Sequence, residues 1–438
     1  MAAWLPSELL HLIFKHLDDL PETLQSCALT CHTWYPTSQA HIFHAIFISN
    51  KNQCQRLNNH LARWPHIIPH VRRLSLHIPA SADHASETQL LRLLTHTDSN
   101  IQSLTLHLVW QKLAPDVRDA LILVLQRPTL TSLLIHRSFF DMDGDFPNVL
   151  SASNLKRLSL LGVLCLRQGI GASTNPNPIQ AEDNHPVPRF KTHIQELTIS
   201  PQYNSSPAIT EWLLSPRCTL SLARLQALHI THCDRLNHSL PSGLLKLAGS
   251  ALTQFSFTTE SSSQKNGLQG IDIDFSNPSL RSIAFALPVD ILNVTRGFGP
   301  PQWIENALAT LARSTEHIEK LELTFLVGLP TQRRRGADAD RAGAVSSILV
   351  PVDNQQWNDS MSAWPRLLSS SRFSALGCVR FVLAYDIALS GESDVRMALV
   401  AIKERAEREM RMQLGELKVD FVLEGFQSSY ASMHPISQ

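Results

Sequence analysis

The sequence has few charged residues and carries no net charge. Lys and Arg total 38 of its 438 residues, Asp and Glu also total 38, and the four types together make up 17%. Apolar types make up 43%, which excludes an intrinsically disordered chain, since such chains combine low hydrophobicity with high net charge. Because no overall field attracts polyanions, we expect neither nucleic acid nor an anionic membrane as the partner.

Long apolar runs and a signal-peptide pattern are also missing. No apolar run exceeds six residues, the length of Ala120 to Leu125, whereas a membrane-spanning helix needs about 20. Glu8 interrupts the apolar residues between Met1 and Leu17, and no Lys or Arg precedes them, so no signal peptide is predicted. The seven cysteines are sparse and odd in number, which indicates a reducing compartment, the cytosol or the nucleus.

Motifs of catalysis and metal binding are absent as well. The sequence contains no Gly-x-x-x-x-Gly-Lys-Ser/Thr, Gly-x-Ser-x-Gly, His-Glu-x-x-His or Cys-x-x-Cys motif. Residues 141–145 imitate the start of a calcium loop, but Phe146 stands where that loop needs a Gly. Cys27 and Cys31 lie one helical turn apart on an apolar face, which favours core packing over metal binding. We therefore predict no catalytic site, no metal and no cofactor, and so no enzyme.

The first 49 residues have a helical pattern that the rest of the chain lacks. Apolar residues recur at helical spacing from Leu5 to Leu17, from Leu24 to Trp34 and between Ala40 and Ile48, which predicts three short helices. So small a bundle buries too little of its surface to cover all of these side chains. A partner helix or the following domain must therefore cover the others.

This pattern resembles the F-box family, whose motif opens Leu-Pro-x-Glu-Leu/Ile-Leu and closes with a Leu-x-x-Cys-x-x-Val-Cys-x-x-Trp-like helix. The matching residues are Leu5, Pro6, Glu8, Leu9, Leu10, Ile13, Phe14, Leu17, Leu24, Cys27, Leu29, Cys31 and Trp34. Thr30 replaces the usual Val, and His32 the usual Arg. The resemblance implies that these residues, Glu8 apart, bind a Skp-type adaptor that links to a cullin ubiquitin ligase. The alternative is that the helices only cap the downstream core.

The chain from residue 50 onward repeats one apolar template. Apolar residues occupy its first, fourth and sixth positions, and each of the eleven copies predicts a short strand with alternate residues facing inward. The copies begin at Val71, Ile101, Leu130, Leu155, Ile194, Leu225, Leu252, Leu280, Ile318, Leu376 and Leu414. Helices are predicted between several strands, at residues 88–94, 116–125, 209–214, 243–247, 303–311 and 393–412.

Strand, turn and helix within about 30 residues are the unit of leucine-rich repeats, whose parallel strands line the concave face of a solenoid. The chain resembles a degenerate form of this family. An ordinary α/β sheet would also repeat Leu-x-Leu, but a doubly wound sheet rarely exceeds about 10 strands. We therefore expect an α/β fold, with an F-box-like helical module at 1–49 and a leucine-rich-repeat-like solenoid at 50–438, including polar insertions at about 161–190 and 331–356.

Residues between the apolar template positions would face outward on the concave surface, the usual binding surface of such arrays. The candidates for contact with a protein substrate are His77, His107, His136, His229, Glu322, Arg380 and Lys418. The first three lie on consecutive strands, about 4.8 Å apart. We expect this histidine ladder to recognise an acidic or hydrogen-bond-accepting patch, more strongly below the usual histidine pKa of about 6.5. The alternative is chance, since the chain has 20 histidines.

The resemblances together predict a substrate-recruiting subunit of a Skp–cullin–F-box ubiquitin ligase in the cytosol or nucleus, with an unknown protein substrate. The alternative is a scaffold protein outside any ligase, in which the helices cap the repeats.

Overall fold

The chain divides into two compact units, Met1–Leu222 and Ala223–Gln438, each described here by itself. The computed structural model describes residues 5–18, 20–80, 84–96, 99–141, 145–150, 154–166, 191–201, 207–216, 218–233, 239–259, 273–275, 279–290, 299–311, 318–328, 354–368, 373, 376–386, 393–414 and 417–426. Most of the two predicted insertions lies outside these ranges. Residues 142–144 of the calcium-like loop also lie outside them. The boundary expected at residue 49 stays a prediction.

Three short helices open the first unit: α1 Ser7–Lys15, α2 Pro21–Thr30 and α3 Tyr35–Ile42. Pro21 occupies the first turn of α2, where a missing N–H costs no hydrogen bond, and Glu22 lies favourably near the positive end of the helix dipole. The expected helix over 40–48 is wrong in its second half, because Ala45–Ile48 forms a strand, β1. Ile46 and Ile48 alternate with Phe47, and this period of two suits a strand.

Six strands of the first unit pair in parallel in the order β1, β2, β3, β4, β6 and β9. After β1 they are β2 Arg73–Ile78, β3 Ser103–Leu108, β4 Ser132–His136, β6 Arg157–Leu161 and β9 Glu196–Ser200. Two smaller parallel pairs join β5 Phe139–Asp141 to β7 Leu164–Leu166 and β8 Thr192–His193 to β10 Leu220–Ser221. The helices of this unit are α4 Lys51–Arg63, α5 Ala85–His96, α6 Pro115–Leu125, α7 Asp145–Val149 and α8 Pro207–Leu214.

The core of this unit is built by equivalent template positions on successive strands. Leu74 pairs in register with Leu104, Leu104 with Leu133, Leu133 with Leu158 and Leu158 with Leu197, and all five are buried. The residues between the buried positions are exposed or half-buried on the strand face that we call the open face. The strands predicted from the first five template copies are therefore confirmed.

The described residues of the second unit form six parallel strands in sequence order: β11 Ala227–Cys233, β12 Gln254–Thr259, β13 Ser282–Asp290, β14 Lys320–Gly328, β15 Cys378–Asp386 and β16 Lys418–Phe426. Its helices are α9 Leu240–Ala248, α10 Gln302–Thr310, α11 Asn354–Leu368 and α12 Ser393–Leu414. Trp364 of α11 packs edge-on against Phe325 and Phe381, so the helix covers the buried face of β14 and β15. The six helical stretches predicted beyond residue 50 are confirmed, whereas α4, α7 and α11 were not predicted.

The last strand shows a register error in the sequence prediction. The template beginning at Leu414 would place Lys418 beside Arg380, but the structure pairs Arg380 with Asp420 and Lys418 with Cys378. Leu414 is the last residue of α12, so the repeat begins two residues later than expected. Because strand side chains alternate with a period of two, a shift of two residues keeps the apolar face inward and leaves no trace in the apolar pattern.

Candidate adaptor-binding surface

The three N-terminal helices, here called the helical module, enclose a small core of their own. Leu10, Phe14 and Leu24 are the buried residues of this core, at 2%, 1% and 1% exposure. Partly buried residues pack around them: Leu17, Cys27, Trp34 and Ile42. The rings of Phe14 and Trp34 meet edge-on with centroids 5.7 Å apart. These side chains therefore hold α1, α2 and α3 together.

A polar chain also links α1 to α3 across the turn that follows α1. Nδ1 of His41 lies 2.7 Å from Oδ1 of Asp18, and Nε2 of His41 lies 3.2 Å from Nδ1 of His11. The His41 ring also packs edge-on against Phe14, with centroids 6.0 Å apart. These contacts join α3 to α1 and to the turn that follows it.

In the described part of the three helices and the residues that lead into them, seven large apolar or aromatic side chains face solvent. They are Leu5, Leu9, Leu12, Ile13, Leu20, Leu29 and Tyr35, with exposures from 38% for Leu5 to 88% for Leu29. Single exposed apolar residues need no explanation, but a concentration of them marks an interaction surface. Folding has therefore left these apolar side chains exposed, which is the state expected of a surface that a partner covers.

The structure sorts the predicted adaptor-binding residues into two groups. Leu5, Pro6, Leu9, Ile13, Leu29 and Cys31 are exposed, whereas Leu10, Phe14, Leu17, Leu24, Cys27 and Trp34 are buried or half-buried within the module. The second group supports the surface instead of forming it. Leu12, Leu20 and Tyr35 are exposed residues that the family motif did not select, although Leu12 follows Leu9 at helical spacing.

Comparison with known protein families decides the nature of this module. Residues 3–48 match the F-box-like family. The N-terminal module is F-box-like. The match ends with β1, so it includes the strand that pairs with β2. No curated protein matches the chain.

The predicted histidine ladder forms on the open face of the first unit. His77 and His107 pair in register, with ring centroids 5.9 Å apart, and His107 and His136 are 4.5 Å apart. Nδ1 of His136 lies 3.4 Å from Nε2 of His107. Burial, and then the nearby His77 and Arg137, lower the pKa of His107 below its ordinary value. The middle of the ladder is therefore neutral at pH 7.

The other predicted substrate-binding residues lie on the second unit and are partly engaged with one another. Arg380 lies 3.6 Å from Glu322, 3.8 Å from Asp420 and 2.9 Å from Glu424. Nζ of Lys320 lies 2.9 Å from Oε2 of Glu322. His229 is half-buried and pairs in register with Ser256. Lys418 pairs with Cys378 and not with Arg380, as the shifted register of β16 requires. The open face of β14 to β16 thus neutralises much of its own charge.

Within the described ranges, no three His, Cys, Asp or Glu side chains are placed to hold a metal ion. Burial raises the pKa of Cys54 and Cys165 to about 12 and that of Cys218 to about 11, so these thiols stay protonated and are poor nucleophiles. In the same part of the chain, no helix has both the length and the apolar character needed to span a membrane.

Proposed function

We propose that this protein recruits substrates to a Skp–cullin–F-box type ubiquitin ligase. The observation that carries the proposal is an F-box-like module that is folded around its own core and still exposes seven large apolar or aromatic side chains. A Skp-type adaptor is the partner that this family implies for such a surface. The ligase itself would act in the cytosol or nucleus.

The adaptor contact in this proposal is made by the exposed apolar residues of the module. Leu9, Leu12 and Ile13 project from α1 at 46%, 58% and 46% exposure, and Leu29 near the end of α2 is the most exposed at 88%. Fully burying one such side chain contributes about 1.5–3 kcal/mol. A few central residues usually carry most of the binding energy of an interface. Losing two of these residues should therefore weaken the adaptor complex strongly.

The substrate in this proposal binds to the strands of a leucine-rich-repeat-like solenoid. Support comes from the equivalent template positions, which pair in register from β2 to β9 and again from β11 to β15. Such stacks present a row of outward side chains on successive strands. The protein would have no catalytic activity of its own and would act by raising the local concentration of the substrate near the ubiquitin-carrying enzyme.

The decisive experiment measures adaptor binding by the full chain. Leu9→Ser combined with Ile13→Ser should weaken co-precipitation of a recombinant Skp-type adaptor at least tenfold. The matched control is Leu123→Ser with Leu247→Ser, two leucines exposed to 53% and 46% outside the module, and it should bind the adaptor like the wild type. Adaptor binding that survives in the first variant, or a wild type that does not bind, contradicts the proposal.

A scaffold function is the second candidate, and the junction with the following chain favours it. The carbonyl oxygen of His44 accepts hydrogen bonds from the N–H groups of Arg72 and Arg73 at 3.1 and 2.9 Å, and Phe43 stacks on His60. The module is thus joined to the sheet as a cap would be. In this case, no Skp-type adaptor would bind, while the point variants above would leave other partners bound.

A further inference from the structure

The open face of four adjacent strands in the first unit has an unusual composition. Each of the strands β2, β3, β4 and β6 has three alternate residues that face outward, and these residues lie side by side with their counterparts on the neighbouring strands. These twelve positions, here called the grid, are Arg73, Ser75, His77, Ser103, Thr105, His107, Ser132, Leu134, His136, Arg157, Ser159 and Leu161, and all are exposed or half-buried. Two guanidinium groups, five hydroxyls and three imidazoles are present, and no carboxylate is.

The corresponding face of the second unit has a different charge balance. There, Glu322, Asp420 and Glu424 surround Arg380, so the positive charge has anionic partners in the protein itself. In the grid, Arg73 is followed along its strand by Ser75 and His77, and Arg157 by Ser159 and Leu161, so neither strand places a carboxylate beside its arginine. A face whose polar groups donate hydrogen bonds and whose charges are positive fits an anionic ligand.

We propose that the grid binds an extended, unphosphorylated segment of a protein partner through two carboxylates that are four residues apart. The inference rests on the proposed function, since it names the class of substrate that the repeats would recruit. Arg73 and Arg157 would each bind one carboxylate of the partner segment. The hydroxyls of Ser103 and Ser132, which lie between the two arginines, would contact the backbone of that segment or its side chain midway between the carboxylates.

The spacing of the two arginines sets this pattern. Arg73 and Arg157 begin strands that are three steps apart in the sheet, so with adjacent strands about 4.8 Å apart they are separated by roughly 14 Å. An extended peptide advances about 3.4 Å per residue, which places side chains i and i+4 about 14 Å apart on the same face. A segment that lies across the strands would therefore match acidic residues at i and i+4.

The same spacing argues for carboxylates over phosphate and over nucleic acid. A single phosphate is best held by several donors that converge on it, whereas these guanidinium groups begin strands three steps apart. Base stacking needs free aromatic faces, and the grid contains no Phe, Tyr or Trp. The whole chain also has no net charge, so it lacks the field that gathers polyanions.

The histidine ladder makes this binding depend on pH. Burial, and then the nearby His77 and Arg137, hold the pKa of His107 below the ordinary histidine value, so this imidazole adds positive charge to the grid only as the pH falls below that value, where the Glu side chains of a peptide remain ionised. Arg137 acts on His107 directly, whereas Arg73, Arg157 and Glu196 stand four residues before the level of the ladder, at the start of β2, β6 and β9. Glu196 pairs in register with Arg157, so it competes with a peptide carboxylate at that end. Replacing Glu196 should therefore tighten binding.

The test uses the purified full chain and fluorescent peptides in an anisotropy titration. Glu-Val-Thr-Val-Glu should bind, and Glu-Glu-Thr-Val-Val, with the same composition, should bind at least threefold more weakly. Arg73→Ala and Arg157→Ala should each weaken the first peptide about three- to tenfold, and Glu196→Gln should strengthen it. The matched control, Arg224→Ala with Lys246→Ala in the second unit, should change nothing. Binding should be tighter at pH 5.8 than at pH 7.5.

Each contrary result overturns the proposal. Equal binding of the two peptides removes the i, i+4 register, and tighter binding of a phosphothreonine version of the peptide, of inorganic phosphate or of oligothymidine assigns the grid to another ligand. Unchanged affinity in Arg73→Ala with Arg157→Ala moves the site elsewhere. Because the titration contains no adaptor, its failure leaves the adaptor result standing, and failure of adaptor binding leaves the peptide result standing.

Discussion

Truncating Phe14 should unfold the helical module without unfolding the sheet that follows it. The Phe14 side chain is 1% exposed and packs against Leu10, Leu24, Trp34 and His41. Phe→Ala substitutions at such positions cost about 3–5 kcal/mol through lost burial and the cavity that remains. In the described part of the module, the apolar core has three buried side chains, so its local opening free energy has little reserve against a loss of this size.

Hydrogen exchange separates this effect from the loss of a surface contact. In Phe14→Ala, amides of α1, α2 and α3 should exchange roughly 100-fold faster or more, since 1.4 kcal/mol is a factor of ten, while those of β3 and β4 should be unchanged. Leu9→Ala, at a residue that is 46% exposed, should leave exchange nearly unchanged and still weaken adaptor binding. Normal exchange in Phe14→Ala, or fast exchange in Leu9→Ala, would refute the division into core and surface.

Two further predictions concern the first unit. Burial lowers the pKa of His107 in the folded state, so the unfolded state binds more protons once the pH falls below the ordinary histidine pKa of about 6.5. The stability linked to His107 is therefore fully present above about pH 6.5 and is lost as the pH falls from there through the lower pKa of the folded state. Urea unfolding should show a smaller drop in stability between pH 7.5 and 5.5 in His107→Gln than in the wild type. Leu133→Ala, at a residue that is 1% exposed, should cost about 2–5 kcal/mol, whereas Leu134→Ala on the open face should cost clearly less in the same assay.

The strands were predictable because each one carries the same apolar template with a period of two. That pattern predicted eleven strands and the face of each that turns inward. They are β2, β3, β4, β6 and β9 of the first unit and β11 to β16 of the second. It could not fix the register of β16, because a shift of two residues preserves the pattern. It also missed β1, whose four residues, Ala45–Ile48, are too few to separate a strand from the helix before them.

The site was predictable as a set of residues but not as a surface. The family motif selects Leu9 and Phe14 alike, although one is exposed and the other lies in the core. α1 carries apolar residues on more than one face, because the exposed Leu9 and the buried Leu10 are neighbours in sequence, and only the packing of three helices decides which face turns inward. The same packing exposes Leu29 of α2 and Cys31, which follows the helix with an extended backbone, so Cys27 and Cys31 do not share one helical face as the sequence suggested.

The junction between the module and the sheet bears on both proposals at once. Only Phe43 and His44 separate α3 from β1, and both are held, Phe43 by stacking on His60 and His44 by two backbone hydrogen bonds to β2 and the residue before it. An adaptor bound to α1 and a substrate segment bound to the grid would thus be connected through packed structure instead of a flexible linker. A flexible linker spreads its two ends over a wide range of distances and lowers their effective concentration. Deleting residues 1–49 would also remove β1, so point variants in α1 are the sounder test of adaptor binding.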